Sequence, residues 1–359
     1  MTHLRRLLVL LAAFVVIAAA CGDDNDDQSG SGDDAASDDQ AAADDECTDT
    51  ITVYSGRDEE LIGPILDSFT AATGIEVEAR YGDSAELALL IQTEGDSSPA
   101  DVFISQSPGA LGFLAGLEAL DELPDEVLDR VAEGFRASDG TWVGLTGRVR
   151  VVVYNEELVE GTDLPDSVLD LTDPAYAGRV AVAPTNGSFQ DFVTAMRNEL
   201  GDEATLEWLE GMAANDAPNY PKNSAIVEAV GRGEVDMGLV NHYYNLRALE
   251  ADPSVPSRNH FLPPDDLGAL VIVTGGSVLA ASDSQCESER LLTHMLTDAS
   301  QGAFVAETQE YALAVTMVDA VPEGAPALDA LAVDTIDYEL LGDGLEGTVE
   351  LIRQSGIEQ

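Results

Sequence analysis

From residue 50 onward, the period of the apolar positions changes repeatedly along the chain. Short β-branched runs alternate with stretches whose apolar residues recur every three to four positions. "TITVYS" reads as a buried strand, and "DEELIGPILDSFTAATG" as a helix that stops at a glycine. "IEVEARYG", "SAELALLIQTEG" and "ADVFIS" repeat the order strand, helix, strand. This alternation predicts an α/β fold on a mostly parallel, doubly wound sheet. No internal repeat of fixed period is visible.

A second α/β series begins at "RVRVVVYN" (148 to 155). It runs through "GRVAVAPTNGSFQDFVTAMRNEL" and "NSAIVEAVGRGEVDMGLVNHYYNLRALEAD" to "ALVIVTGGSVLAAS" (269 to 282). The first and last of these are long β-branched runs able to cross between two lobes. Two crossings place a cleft between the lobes, with strand ends and helix N-termini facing it. The expected division is lobe 1 over 47–148 and 274–325, and lobe 2 over 149–273 and 326–359.

The chain starts differently. Residues 1–21, "MTHLRRLLVLLAAFVVIAAAC", carry a basic start at Arg5 and Arg6, a short apolar run and small residues before a cysteine, the pattern of an export signal. The run is short for a spanning helix, which needs about 20 apolar residues. The small residues before Cys21 resemble a bacterial lipobox, whose cleavage would leave Cys21 lipidated at the new N-terminus. An ordinary secretory peptide and an uncut signal anchor are the alternatives. Residues 22–46 hold eleven acids and no aromatic or β-branched residue, so they read as a disordered, self-repelling tether.

Export changes how the cysteines are read, because thiols outside the cytoplasm tend to pair. With Cys21 lipidated, Cys47 and Cys286 are the two left and are expected to form a disulfide, two distant free thiols being the alternative. Neither has the neighbouring cysteine or histidine of a metal site.

The chain has 68 acids against 16 Lys+Arg; without the signal the balance is 68 against 14, or −54, and Lys222 is the single lysine. Such a surface argues against nucleic acid or anionic lipid as a partner. Otherwise it reads as an acidic, solvated surface suited to salty surroundings.

From Thr50 to Gln359 the chain resembles the periplasmic ferric-ion-binding proteins, the solute receptors of iron ABC transporters. The landmarks are "ITVYSGR", "TGIEVEARYGDSAEL", "EGDSSPADVFIS", "GLTGRVRVVVYN", "LTDPAYAGRVAVAPTNGSFQDFV", "YPKNSAIVEAVGRGEVDMGLVNHYY", "DLGALVIVTGGSVL" and "ETQEYALAV". "SPADVF" and "GR.RVVVYN" mark the wider receptor superfamily, and "NHYY" is the more specific signal. The resemblance implies a two-lobe fold of periplasmic-binding-protein class II, hinged and closing on Fe³⁺ with a synergistic anion such as carbonate, phosphate or citrate. It implies a monomer that docks on a permease and performs no catalysis. By the same resemblance Tyr243 and Tyr244 are ligands, Asn186, Gly187 and Ser188 lie on the anion-holding loop, and Asn223 and Asn241 help hold the anion. Asp58 stands where well-studied members carry a histidine, Gln106 where they carry a glutamate, and "NGSFQ" lacks a tyrosine that other subgroups place there.

The residues carry part of this reading themselves. Phenolate is a hard anionic oxygen donor suited to a small, highly charged cation, and a bound cation favours its deprotonation. Adjacent tyrosines serve one cleft only at a strand-to-helix turn, because strand neighbours point to opposite faces. "EVDMGLV" followed by "YYNLRALEA" supplies that turn, with Asn241 as a cap. Ordinary interface packing is the other explanation of such a pair. Backbone N–H groups of Asn186 to Phe189 open a helix and can hold an anion, although a plain Asn-Gly turn reads equally well. Arg57 could pair with the anion, and Asp58 or Glu59 could supply a carboxylate, though acids in a first helical turn are favoured by the dipole anyway. Tyr54 is a reserve ligand or strand packing. Gln106 and Ser107 end a strand where cleft residues belong, Gln106 to hold the anion or a water. Arg148 contacts the anion or satisfies the crossing strand. The four histidines are scattered, with no HExxH or three-histidine cluster, which argues against a zinc or manganese receptor.

Two other functions stay in view. The same receptor could take an organic solute such as a phosphonate, a sugar phosphate or a polyamine. A hydrolase is the third, without GxSxG, P-loop or nucleophilic thiol to support it.

Overall fold

The computed structural model describes residue 47, residues 50–331 and residues 338–358. The export signal, Cys21 and the acidic tether lie outside the described residues.

β1 (Ile51–Ser55) leads into α1 (Glu59–Thr73), which buries Leu61, Ile62, Ile65, Leu66 and Phe69 on one face. The helix ends at Gly74, whose φ of 78° lies in the left-handed region that glycine adopts freely. β2 (Val77–Tyr81), α2 (Ser84–Glu94), β3 (Val102–Ser105) and α3 (Pro108–Ala115) continue the alternation. After the short α4 (Asp125–Leu128) comes β4 (Val143–Asn155), buried at every position but Tyr154.

The second series comprises β5 (Val180–Ala181), α5 (Gly187–Leu200), α6 (Asp202–Ala214), α7 (Asn223–Gly231), β6 (Met237–Asn241), α8 (His242–Ala251) and β7 (Ser257–His260). The chain then returns through β8 (Val271–Val278), α9 (Gln285–Met295), α10 (Asp298–Ala303) and β9 (Tyr311–Ala312), and closes with α11 (Glu339–Ser355).

The main strand order is β2-β1-β3-β8-β4-β6-β5. β1 lies parallel to β2 and β3, and β5 parallel to β6, as the alternation predicts. The strands between them are antiparallel, so the sheet is mixed rather than mostly parallel. The reason lies in β4 and β8, which run between the two halves in opposite directions and therefore cannot both be parallel to their neighbours. β4 changes partner part-way: Val143 to Val149 face β8, whereas Arg150 to Asn155 face β6 and β7. Arg148 and Arg150 thus straddle the changeover.

Cys47, ahead of β1, and Cys286, in the first turn of α9, form a disulfide with a Cα separation of 5.8 Å. α11 packs against α3 on one side and α5 and α6 on the other. Among the described residues no helix is long and apolar enough to cross a membrane.

Candidate functional site

A cleft of about 520 Å³ opens where the ends of β1 and β3 face the starts of α5 and α8. Gly56, Asp58, Ser84, Gln106 and Ser107 line one wall. Arg148, Asn186, Gly187, Ser188, Asn241 and Tyr244 line the other.

β6 ends at Asn241 and α8 starts at His242, so the tyrosines occupy the first turn of the helix. Their rings stack with centroids 4.1 Å apart and planes 28° from parallel. Tyr244 lines the cleft; Tyr243 lies behind it, only 1 % exposed. Asn241 sits at the N-cap position, but its side chain makes no cap bond. Burial pushes the Tyr243 hydroxyl well above the usual phenol range, with Tyr244 and Glu310 adding to it and Arg57 and Arg148 opposing.

Arg57 does not wait for an anion. It is 1 % exposed and forms a bidentate pair with Glu310, Nη1 to Oε1 at 2.8 Å and Nη2 to Oε2 at 2.6 Å. Thr308 donates to the same carboxylate at 3.0 Å. Arg148 donates to Thr274 Oγ1 at 2.8 Å and lies 3.9 Å from Glu310. Two guanidinium groups therefore share one carboxylate next to Tyr243, leaving net positive charge where a phenolate would form.

On the first wall, Tyr54 follows the packing alternative, and Gln106 has a partner other than an anion. Tyr54 hydrogen-bonds Glu94 and accepts from Arg80, and it is not among the residues lining the cleft, so its ring belongs to strand packing. Gln106 uses its amide nitrogen on the Gly56 carbonyl and its backbone N–H on Ser84 Oγ, which makes it a brace of the wall. Asp58 is exposed, lines the cleft and makes no cap bond. Among the described residues no three His, Cys, Asp or Glu side chains cluster as a metal site.

On the second wall, Asn186 caps α5 by accepting from the Ser188 N–H at 3.2 Å. Asn223 donates to Asn186 Oδ1 at 3.3 Å and to Ser188 Oγ at 3.1 Å, so these three residues form one unit. His242 accepts from the Val149 N–H at 3.2 Å, and burial lowers its pKa to about 3, so it stays neutral.

Arg150, Asp191 and Glu310 were not among the candidates read from the sequence. Arg150 donates to Ser188 Oγ at 3.3 Å and lies over the rings of Phe189 and Phe192. Burial lowers its pKa to about 10. Asp191 accepts from Ser107 Oγ at 2.6 Å, and burial raises its pKa to about 6 despite Ser107, Arg148 and Arg150. Local signals existed for the first two: Arg150 shares a strand face with Arg148, and Asp191 lies one helical turn beyond Ser188. Glu310 lies in the landmark "ETQEYALAV", but nothing local marks it as the partner of Arg57, 253 residues away.

Among the described residues, six buried polar atoms around this wall have no protein partner: Arg148 Nε, Arg150 Nε and Nη2, Asp191 Oδ2, Asn223 Oδ1 and Asn241 Oδ1. Buried polar atoms are ordinarily satisfied, so this density marks a place built for a polar occupant.

A family model described as bacterial extracellular solute-binding protein matches residues 97–333. The major ferric iron-binding protein of Neisseria meningitidis serogroup B is 37% identical over 267 residues, 73% of this chain and 80% of that protein. The chain belongs to the periplasmic ferric-ion-binding protein family. A Fe(3+)-binding periplasmic protein of Serratia marcescens is 33% identical over 312 residues, 86% of this chain and 90% of its own. Among solved structures, iron-bound HitA from Pseudomonas aeruginosa superposes with a TM-score of 0.81 at 33% identity, covering 86% of this chain and 99% of that one. For this family member, the β6–α8 junction with its tyrosine pair is the element to test first.

Proposed function

We propose that this protein is an extracytoplasmic receptor that captures Fe³⁺ with a synergistic anion and delivers it to an ABC permease, without a catalytic step. The observation that carries the reading is the stacked pair Tyr243 and Tyr244 beside two arginines that share one carboxylate. Two phenolates offset much of the charge of Fe³⁺, and the arginines favour the phenolate form that burial opposes. Asp58 is a first-wall group able to add a carboxylate, with Glu86 and the α2 cap Asp83 lining the same cleft. Ser188, Asn186 and the N-terminus of α5, with Asn223, Asn241 and Arg148 around them, suit an anion of the carbonate, phosphate or citrate class. The two lobes, 47–148 with 274–325 and 149–273 with 326–359, close on this cargo as a monomer, tethered by residues 22–46 to a lipid on Cys21.

The test is a visible absorption titration with ferric citrate, with and without bicarbonate, on the wild type, Tyr243→Phe and Tyr244→Phe. A tyrosinate-to-iron charge-transfer band that both substitutions weaken supports the reading. No band under any anion overturns it.

One observation favours a second reading. The Gln106 amide nitrogen is tied to Gly56 and Tyr54 to Glu94, so two of the expected first-wall groups are engaged elsewhere. An organic anion such as a phosphonate or sugar phosphate would need neither. Thermal stabilisation by such a solute, with no coloured iron complex, would select it.

A further inference from the structure

One group in the cleft is ill-suited to a bare anion. Asp191 stands one turn beyond Ser188 on α5 and lines the cleft, yet it is only 5 % exposed. Ser107 Oγ accepts from the Gly109 N–H at 3.2 Å, so its own proton is the one it donates to Asp191 Oδ1, 2.6 Å away. Asp191 Oδ2 is buried and has no partner among the described residues. Three donors are in the same position, Arg148 Nε and Arg150 Nε and Nη2, as are two further acceptors, Asn223 Oδ1 and Asn241 Oδ1. The Arg150 guanidinium reaches the start of α5, its Nη1 donating to Ser188 Oγ at 3.3 Å. The groups acting on Asp191 are Ser107, Arg148 and Arg150, and Asp83 at the α2 cap.

An occupant that only accepts hydrogen bonds, such as sulfate, would satisfy the arginine donors but set its lone pairs against the Asp191 carboxylate. An asparagine can turn its amide to offer an N–H, whereas an ionised carboxylate offers acceptors whichever way it turns. An occupant that keeps a proton meets both demands, accepting from the arginines and donating to Asp191 Oδ2. We infer that Asp191 is a specificity residue of the cleft, admitting oxyanions that carry a proton, such as hydrogenphosphate or hydrogencarbonate, and turning away fully deprotonated ones of the same shape and charge. A hydrogen bond with a charged partner changes affinity roughly ten- to hundredfold, and sulfate would in addition leave Oδ2 buried and unpaired. The assignment rests on the anion half of the proposed function and not on the metal.

Isothermal titration calorimetry of the purified full chain, stripped of metal with a chelator and then dialysed, compares inorganic phosphate with sulfate, which share shape and charge. The titration is run at pH 8, where Asp191 is ionised even with its pKa raised by burial to about 6. Hydrogencarbonate against nitrate repeats the comparison for a planar ion. The wild type is expected to bind the proton-bearing member of at least one pair roughly ten- to hundredfold more tightly. In Asp191→Asn, Oδ1 keeps the Ser107 bond and an amide N–H replaces Oδ2, so that preference is expected to vanish or invert. Asp191→Ala removes the acceptor without adding a donor; it is expected to lose the preference too, and decides alone should the asparagine variant fail to fold. If Asp191 were merely structural, either substitution would weaken both anions of a pair together and leave their ratio unchanged. That result, or a wild type that prefers the proton-bearing anion in neither pair, overturns the assignment. Selection without a tyrosinate band on adding ferric citrate leaves it standing while the iron reading fails; a band without selection does the reverse.

Discussion

Replacing Asp191 with asparagine should stabilise the protein, and only above a defined pH. In the folded chain the Asp191 pKa rises from 3.8 to about 6, with burial as the largest cause. A raised carboxylate pKa means that folding disfavours the ionised form. Below about pH 4 the group is protonated in both states and contributes no penalty; above about pH 6 the penalty is complete. A difference of about two decades in proton affinity corresponds to about 3 kcal/mol. For a domain of about 310 residues that amounts to roughly 5 °C in Tm. The asparagine side chain would keep an oxygen for Ser107 and remove the buried charge. Thermal unfolding of the variant and wild type, scanned by circular dichroism from pH 4 to pH 8, reads the difference directly. The expected curve is flat near zero at pH 4 and rises to its plateau by pH 7. A variant less stable than the wild type at pH 7.5 would refute the reasoning, because attraction to Arg148 and Arg150 would then outweigh the cost of burial.

Glu310→Gln removes the charge between Arg57 and Arg148 and leaves Arg57 buried without a counter-ion; the expected loss is about 3–5 kcal/mol in urea unfolding. Gly56→Ala drives a Cβ into Ser84 Oγ, which must move and release the Gln106 backbone, so a loss of about 1–3 kcal/mol and weaker ferric binding are expected from denaturation and titration. Reducing the Cys47–Cys286 bond opens a loop of 239 residues and should cost about 2–4 kcal/mol, seen as a lower Tm in reductant. Ferric affinity should fall in acid, as protons compete for the phenolate oxygens, and a pH titration of the charge-transfer band measures it.

Much of the architecture was legible because it rests on local rules. The helical spacing of Leu61, Ile62, Ile65, Leu66 and Phe69, the glycine at 74, and the strand that stops before "HYY" need no distant information. The tyrosine pair was readable for the same reason, since its placement follows from one strand-to-helix junction. The mixed sheet was not, because strand direction depends on how far β4 and β8 reach before choosing partners.

The chain by itself determined the export pattern, the acidic surface, the alternating elements and the residues available to a cleft, all of which follow from composition and period. Only the tertiary structure decided which of those residues are free. Arg57 is occupied by Glu310 and Gln106 by Gly56, whereas Arg150 keeps unpartnered donors and Asp191 an unpartnered oxygen among the described residues. Long-range partners such as Arg57 and Glu310 have no common signature in sequence. What pairs them is the cost of burying a charge alone, a cost that exists only once the fold has removed the water.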